Sequence, residues 1–125
     1  MFKNLIITSF LGMLAIILGA FGAHALKETL TAEALASFNT AIRYQIYHVI
    51  VLLFINTFDG FSLKQKNRIS ILFFCGIFLF SGSIYTIQLT SITAKSIWFV
   101  TPLGGLFFIA GWFLMIIIFL KKLKK

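Results

Sequence analysis

Two histidines and a few neutral polar side chains are the residues of this sequence best suited to chemistry. His24 and His48 could together ligate a metal or a haem, and His48, four residues after Tyr44, could move protons. The sequence offers no Ser-His-acid set and no cluster of metal ligands to support either role. His24 should also sit at a different depth from His48. We therefore expect no catalytic residue, no metal and no cofactor, and we interpret both histidines as hydrogen-bonding side chains.

The sequence has few residues that could support thiol or carboxylate chemistry. Cys75 is the only cysteine, so an intramolecular disulfide, a CxxC redox pair and a thiolate zinc or iron–sulfur site within one chain are excluded. The three acids are Glu28, Glu33 and Asp59, and none lies in the middle of an apolar run. The candidate chemistry is therefore that of neutral hydrogen-bonding groups.

The elements that position these residues must be membrane helices. Hydrophobic residues make up 60% of the chain and charged residues 11%, against about 25% charged in soluble domains, so a water-soluble monomer is excluded. Apolar runs cover residues 5–23, 42–58, 69–89 and 97–120, each long enough for a hydrocarbon core about 30 Å thick. Lipid offers no partner to backbone polar groups, so each run must be helical. The sequence predicts an all-α fold, an integral membrane four-helix transmembrane bundle in one domain over residues 1–125.

The basic residues predict how this bundle lies in the membrane. The net charge is +8, but the bases flank the apolar runs, so they indicate a membrane surface and we expect no nucleic-acid partner. Eight of the eleven lie on the side of the two termini and the 59–68 loop, and three, Lys27, Arg43 and Lys95, lie on the other side. The positive-inside rule then predicts that both termini are cytoplasmic.

Two further features concern the first two helices. Ala23-His24-Ala25 imitates a signal-peptide cleavage site, but the preceding apolar run is longer than usual for such a peptide, and we expect a retained first helix. Thr31 is a candidate N-cap, and Glu33 would lie in the first turn behind it, near the positive end of the helix dipole. We therefore expect the second helix to extend from about residue 32, outside the membrane.

Small residues predict where the helices pack closely. On the first helix they recur every three or four residues and form one narrow stripe, and on the fourth they lie seven apart. Small side chains let helix backbones approach, which is a main route to the association of membrane helices. We expect the first-helix stripe around Gly19 to be the tightest helix contact. The predicted helix-packing residues are Gly12, Ala15, Gly19, Gly22, Gly104 and Gly111.

The remaining polar side chains gather in the outer leaflet of the predicted topology. Gln45, His48 and Asn56 share one face of the second helix, and the third helix has a similar polar face. Polar groups in hydrocarbon need partners, so both faces should point inward. Two interpretations remain: interhelical hydrogen bonding, or a pocket open to the outer leaflet that holds a lipid headgroup or a small amphiphile, with His48 as its most buried residue. The candidate ligand-binding residues are His24, Arg43, Tyr44, Gln45, His48, Ser83, Tyr85 and Gln88.

Four segments carry a resemblance to a known family. They are GAFGAHALK (19–27), FNTAIRYQIYH (38–48), FSGSIY (80–85) and TPLGGLFFIAGW (101–112). In this order, and over nearly the whole chain, the sequence resembles the domain-of-unknown-function family 423, which consists of small four-helix bacterial membrane proteins with eukaryotic transmembrane relatives. The resemblance implies a multi-pass protein of the bacterial inner (plasma) membrane. It implies no activity, because the family supplies no agreed biochemical function or catalytic residue.

Two classes of function remain open. A small proton-coupled transporter needs an ionisable acid within the membrane, and a channel needs polar lining in both leaflets. This sequence has no acid in mid-span, and the inner halves of its helices are almost purely apolar. These features favour a non-enzymatic accessory, assembly or lipid- or amphiphile-binding protein, with a small transporter or channel as the alternative. The expected partners are the lipid bilayer, a lipid or small amphiphile, and a second copy or a larger membrane complex.

Overall fold

The computed structural model describes residues 2–124, which fold into four long helices without a strand. Helix α1 comprises Phe2–His24, α2 Ala32–Thr57, α3 Leu63–Leu89 and α4 Val100–Leu123, and each is long and apolar enough to cross a membrane. The predicted all-α fold with four spans is thereby confirmed. Met1 and Lys125 lie outside the described residues. They are the bounds of the predicted domain, and Lys125 is one of the eight bases counted on the side of the termini.

Capping side chains decide where two of these helices begin. Thr31 Oγ1 accepts from the backbone N–H of Ala34 at 3.2 Å, so α2 begins at Ala32, well before its apolar run. Ser62 and Gln65 form a capping box, in which each side chain bonds the backbone N–H of the other residue. Helix α3 therefore begins inside the polar stretch that precedes its apolar run. Helix α4 begins at Val100 rather than at residue 97, because residues 94–99 form turns.

The two ends of the bundle are defined by contacts between helices. At one end Asn4 Nδ2 of α1 lies 3.0 Å from Asn56 Oδ1 of α2. We call this the termini end, because helix α1 begins and helix α4 ends there. At the other end Ser83 of α3 contacts Thr101 of α4. We call this the distal end, and it carries the α1–α2 and α3–α4 connections.

The apolar core lies between α2, α3 and α4. Leu52 and Ile55 of α2 and Phe73 of α3 are fully buried, and Phe108 of α4 packs with them. Gly111 of α4 makes room for the ring of Phe73, since an added Cβ would lie 2.5 Å from the nearest ring atom. These three helices therefore share one interior.

Helix α1 lies outside this interior and packs along α2. Its stripe of small residues faces that helix: Ala15 is buried, and the ring of Phe38 approaches Gly22 so closely that an added Cβ would lie 2.9 Å from it. None of the buried hydrophobic residues that form the shared core comes from the described part of α1. Helix α1 is thus the most peripheral of the four.

Helix α3 changes type within its span. Leu63–Gly76 and Gly82–Leu89 are α-helical, but Ile77–Ser81 between them form a π-helical turn, in which each backbone hydrogen bond spans one more residue. Gly104 of α4 packs against this turn: an added Cβ would lie 2.3 Å from the backbone nitrogen of Phe80 and 2.7 Å from its Cα. A backbone cannot move aside as a side chain can, so this position requires glycine.

The tightest contact between two helices at a glycine is therefore that of α3 with α4, and the expectation that placed it on the first-helix stripe is wrong. A Cβ at Gly19 would lie 4.0 Å from the side chain of Ile42, and one at Gly12 would lie 3.3 Å from that of Val49. Helix α1 thus meets α2 through side chains, whereas Gly104 meets a backbone.

Candidate functional site

Gln45 lies at the centre of a polar network at the distal end. Its side chain is 1% exposed and is bonded on both sides: Nε2 donates to the carbonyl of Leu11 at 2.7 Å, and Oε1 accepts from the Tyr85 hydroxyl at 2.8 Å. One glutamine therefore joins α1, α2 and α3. The prediction that His48 is the most buried residue of this group is wrong, because His48 is 5% exposed.

Both ring nitrogens of His48 are engaged. Nδ1 lies 2.7 Å from the carbonyl of Tyr44, which can only accept, so Nδ1 carries the proton. Nε2 then accepts from the indole N–H of Trp112 at 3.2 Å. The ring also stacks on Phe108, with centroids 3.7 Å apart and an angle of 8° between the planes. The imidazole is thus neutral and held in place, and its lone pair faces Trp112.

Serine hydroxyls join α3 to its neighbours around the π turn. Ser81 is fully buried and donates to the carbonyl of Ala41 at 2.7 Å. Ser83 donates to the carbonyl of Phe80 at 2.9 Å, so the contact of 2.5 Å between the Ser83 and Thr101 hydroxyls is donated by Thr101. These hydroxyls hold α2, α3 and α4 in register at the distal end.

The other candidate residues lie apart from this network. His24 and Arg43 are exposed, and the guanidinium of Arg43 donates to Thr40 Oγ1 at 3.2 Å. Tyr44 is 41% exposed and packs against Phe80, with ring centroids 4.9 Å apart. The eight predicted ligand-binding residues therefore divide into a hydrogen-bonded interior group, Gln45, His48, Ser83 and Tyr85, an exposed group, His24, Arg43 and Tyr44, and the half-buried Gln88.

A cleft of about 390 Å³ opens at the distal end between α3 and the start of α4. The π turn forms part of its wall, and the hydroxyls of Ser83 and Thr86 supply its polar groups among otherwise apolar side chains. Of the eight predicted ligand-binding residues, Ser83 alone lines it. The lining residues are Phe78, Leu79, Gly82, Ser83, Thr86, Ile97 and Val100.

An apolar layer separates the two ends of the bundle. Along α2, the fully buried Leu52 and Ile55 lie between His48 and Asn56, and Phe73 of α3 packs at the same level. The ring of Phe73 lies 5.0 Å from that of His48, so the layer begins directly beneath the distal network. The polar groups of the two ends are therefore not continuous through this layer.

A second polar network occupies the termini end, where the sequence predicted almost purely apolar helix halves. Asn56 donates to Ser70 Oγ and to the carbonyl of Leu52, each at 2.9 Å, and accepts from Asn4 at 3.0 Å. Asn4 also donates to Asn67 at 2.9 Å. Four polar side chains from α1, α2 and α3 thus meet at this end. Of these, the sequence indicated only Asn56, and not Asn4, Asn67 or Ser70.

Lys66 belongs to the same network, although its sequence position suggested a membrane-surface charge. It is 6% exposed, and its Nζ donates to the carbonyl of Asn56 at 3.1 Å. That carbonyl is in the last turn of α2, where cations are favoured by the helix dipole. The available sequence signal was the capping box at Ser62, which starts α3 early enough to turn Lys66 towards α2.

Comparison with known families identifies one match. The model of the family described as "Protein of unknown function (DUF423)" matches residues 18–105, which include Gln45, His48, Tyr85, the π turn and Gly104. This is the family that the sequence segments resembled, and the resemblance is confirmed. No solved structure gives a significant match to the chain.

Several curated bacterial proteins are similar over most of their length. The UPF0382 membrane protein SSP2132 of Staphylococcus saprophyticus is 42% identical over 105 residues, which cover 84% of this chain and 86% of the relative. The UPF0382 membrane protein SAB0533 of Staphylococcus aureus is 41% identical over 84% of each chain. The UPF0382 inner membrane protein YgdD of Escherichia coli K12 is 37% identical over 120 residues, covering 90% of this chain and 86% of the relative.

Proposed function

We propose that this chain, which belongs to the DUF423 family, is a non-enzymatic membrane protein that binds a lipid or another amphiphile. The carrying observation is the division of its interior: polar groups lie at the two ends, and a layer of Leu52, Ile55 and Phe73 fills the space between them. Such an interior suits ligands that enter from one end. It does not suit passage from one end to the other, which needs polar lining at both levels and between them.

The distal network supports a structural rather than a catalytic role for its polar groups. The His48 lone pair accepts from Trp112, and the Tyr85 hydroxyl donates to Gln45. A general base or acid must reach the proton it transfers, and neither group can do so without first breaking an interior hydrogen bond.

The distal cleft is where we place the amphiphile. Apolar side chains form most of its wall. The Ser83 and Thr86 hydroxyls donate to the carbonyls of Phe80 and Gly82, so their oxygens could accept a hydrogen bond from a hydroxyl or ammonium group of the headgroup. Its volume of about 390 Å³ matches part of a lipid, such as a headgroup with the start of an acyl chain.

A pair of glycine variants tests this placement. Gly82 lines the cleft, and an added Cβ would meet only the carbonyl of Ile77 at 4.0 Å, so the backbone there accepts a side chain and Gly82→Leu should occupy part of the cleft. Gly105 on α4 has nothing within 4 Å of an added Cβ and does not line the cleft, so Gly105→Leu is the matched control.

We expect mass spectrometry of protein purified in mild detergent to find at least one amphiphile that wild type and Gly105→Leu retain and Gly82→Leu loses, whereas a lipid bound elsewhere on the bundle should remain on all three proteins. Equal retention of every amphiphile by all three proteins would contradict the distal site. A wild type that retains no amphiphile would contradict the proposed function itself. A stoichiometric protein partner in the same preparation would favour the accessory or assembly role in a larger complex.

The protein lies in the bacterial plasma (inner) membrane, and we further propose that its termini end is in the cytoplasm. The support is the excess of bases at that end, eight against three. In a Cys75→Ala background, Thr93→Cys should react with an impermeant maleimide added outside the cell, and Gln65→Cys should not. The reverse pattern would invert the topology.

A further inference from the structure

A second cleft lies at the termini end, between α1 and α3, and it is separate from the distal cleft. Its volume is about 370 Å³. Helix α1 contributes Lys3, Asn4 and Ile7, and α3 contributes its other side. The full lining is Lys3, Asn4, Ile7, Asn67, Ile71 and Phe74.

The lining changes from polar to apolar with depth on both helices. On α3, Asn67 is followed four and seven residues later by Ile71 and Phe74, which lie about 6 and 10 Å deeper along the helix axis. On α1, Ile7 lies one turn deeper than Lys3. A ligand that fills this cleft must have a polar part near the chain ends and an apolar part towards the middle of the membrane.

The polar part of the cleft is held rigidly from behind. Asn4 donates to both Asn56 and Asn67, and Asn56 is fixed in turn by Ser70 and by its own helix. Because the Asn67 oxygen accepts from Asn4, the Asn67 amide nitrogen keeps its N–H groups for a ligand with acceptor oxygens. A binding site pre-ordered in this way loses less conformational freedom when a ligand arrives.

The charge around the cleft is positive. Lys3 lines it, and the ammonium of Lys66 is buried directly behind Asn56. Lys64 and Arg68 are exposed on the first turns of the same helix, α3. A ligand with anionic oxygens would gain from this field and from the Asn67 donors together.

We propose that this cleft binds an anionic phospholipid, with its phosphate oxygens at Lys3 and Asn67 and the start of an acyl chain against Ile7, Ile71 and Phe74. The inference goes beyond the proposed function, because it concerns the opposite end of the bundle and a defined charge. It can hold whether or not the distal cleft binds an amphiphile.

The test measures lipid retention by the full chain in mild detergent, using native mass spectrometry. Phosphatidylglycerol and phosphatidylethanolamine with the same acyl chains are compared at equal concentration. We expect phosphatidylglycerol to be retained preferentially, and Lys3→Gln to lower its retention by about fivefold, as for loss of one lysine near an anionic surface. Asn67→Ala should also lower it, and Gly82→Leu at the distal cleft should not.

Lys64→Gln is the matched control, because it removes the same charge from the same end without touching the lining. Equal losses in Lys3→Gln and Lys64→Gln would mean diffuse attraction and would overturn the site. Equal retention of the two lipids by wild type would overturn the requirement for negative charge. Inorganic phosphate in excess should not displace the lipid; displacement would indicate a soluble anion and overturn the lipid assignment. Lys3 is exposed, so we expect an unchanged melting temperature for Lys3→Gln.

Discussion

The two polar networks of this bundle contain similar neutral side chains but differ in how many of their hydrogen-bonding groups are already paired. At the distal end, neutral groups bond one another and backbone carbonyls, and aromatic rings cover His48 on the face that stacks with Phe108. At the termini end, asparagine amides bond one another, a buried lysine donates to the backbone carbonyl of Asn56, and the network borders an open cleft. The first network closes its groups off, and the second leaves N–H donors at its edge. A polar cluster in a membrane protein therefore indicates packing or binding according to which bonds remain to be made.

The largest expected effect concerns the backbone contact beside the distal network. Gly104→Ala would place a Cβ 2.3 Å from the backbone nitrogen of Phe80, and separating α3 from α4 should cost about 3 kcal/mol of stability. Gly105→Ala next to it has open space and should be neutral or stabilising by less than about 1 kcal/mol. Thermal unfolding in detergent measures both. Equal melting temperatures for the two variants would show that α3 and α4 separate without cost.

The next effect tests whether the distal network is closed by its aromatic cover. His48→Ala removes the stack on Phe108 and leaves the Trp112 N–H without its acceptor, so we expect a loss of about 2–3 kcal/mol. His48→Phe keeps the stack and loses the hydrogen bonds, and should lose less. If His48→Ala were as stable as wild type, the contacts of His48 would contribute nothing to stability, and the distal network could not be described as closed by them.

A double variant tests whether the two networks are independent. Gln45→Leu and Asn56→Leu should each cost about 1–3 kcal/mol, since each leaves buried partners without a bond. The two residues lie about 16 Å apart along α2, so the combined loss should equal the sum of the single losses to within about 0.5 kcal/mol. A clear departure from additivity, measured by denaturant unfolding, would mean that the apolar layer transmits changes between the ends.

The smallest expected effect is on α1. A Cβ at Gly19 would be in ordinary contact with Ile42 at 4.0 Å, so Gly19→Ala should change stability by less than about 1 kcal/mol, towards stabilisation through helix propensity. A large loss of stability in Gly19→Ala would mean that the α1–α2 contact at Gly19 is tighter than the α3–α4 contact at Gly104.

The features that the sequence could predict are those set by composition and helical spacing. Four apolar runs are enough to fix four spans. Spacing on α2 placed Gln45, His48 and Asn56 on one face, and all three are buried. Thr31 was expected to cap α2, and it does.

The features that the sequence could not predict depend on contacts between distant segments. Asn4 and Asn67 are bonded to each other although 63 residues separate them. Lys66 is buried because a carbonyl from another helix accepts from it. The spacing of seven residues placed Gly104 and Gly111 on the packing face without Gly105, but only the folded chain shows that Gly104 meets a backbone rather than a side chain.

The π turn at Ile77–Ser81 sets the rotational phase of the rest of α3. Removing one residue there would restore α-helical bonding and rotate Gly82–Leu89 by about 100° relative to the first half of the helix. Ser83 and Tyr85 would then turn away from Thr101 and Gln45. A relative with a one-residue gap in this stretch of an alignment would therefore need different hydrogen-bond partners at the distal end, although its sequence would still predict the same four spans.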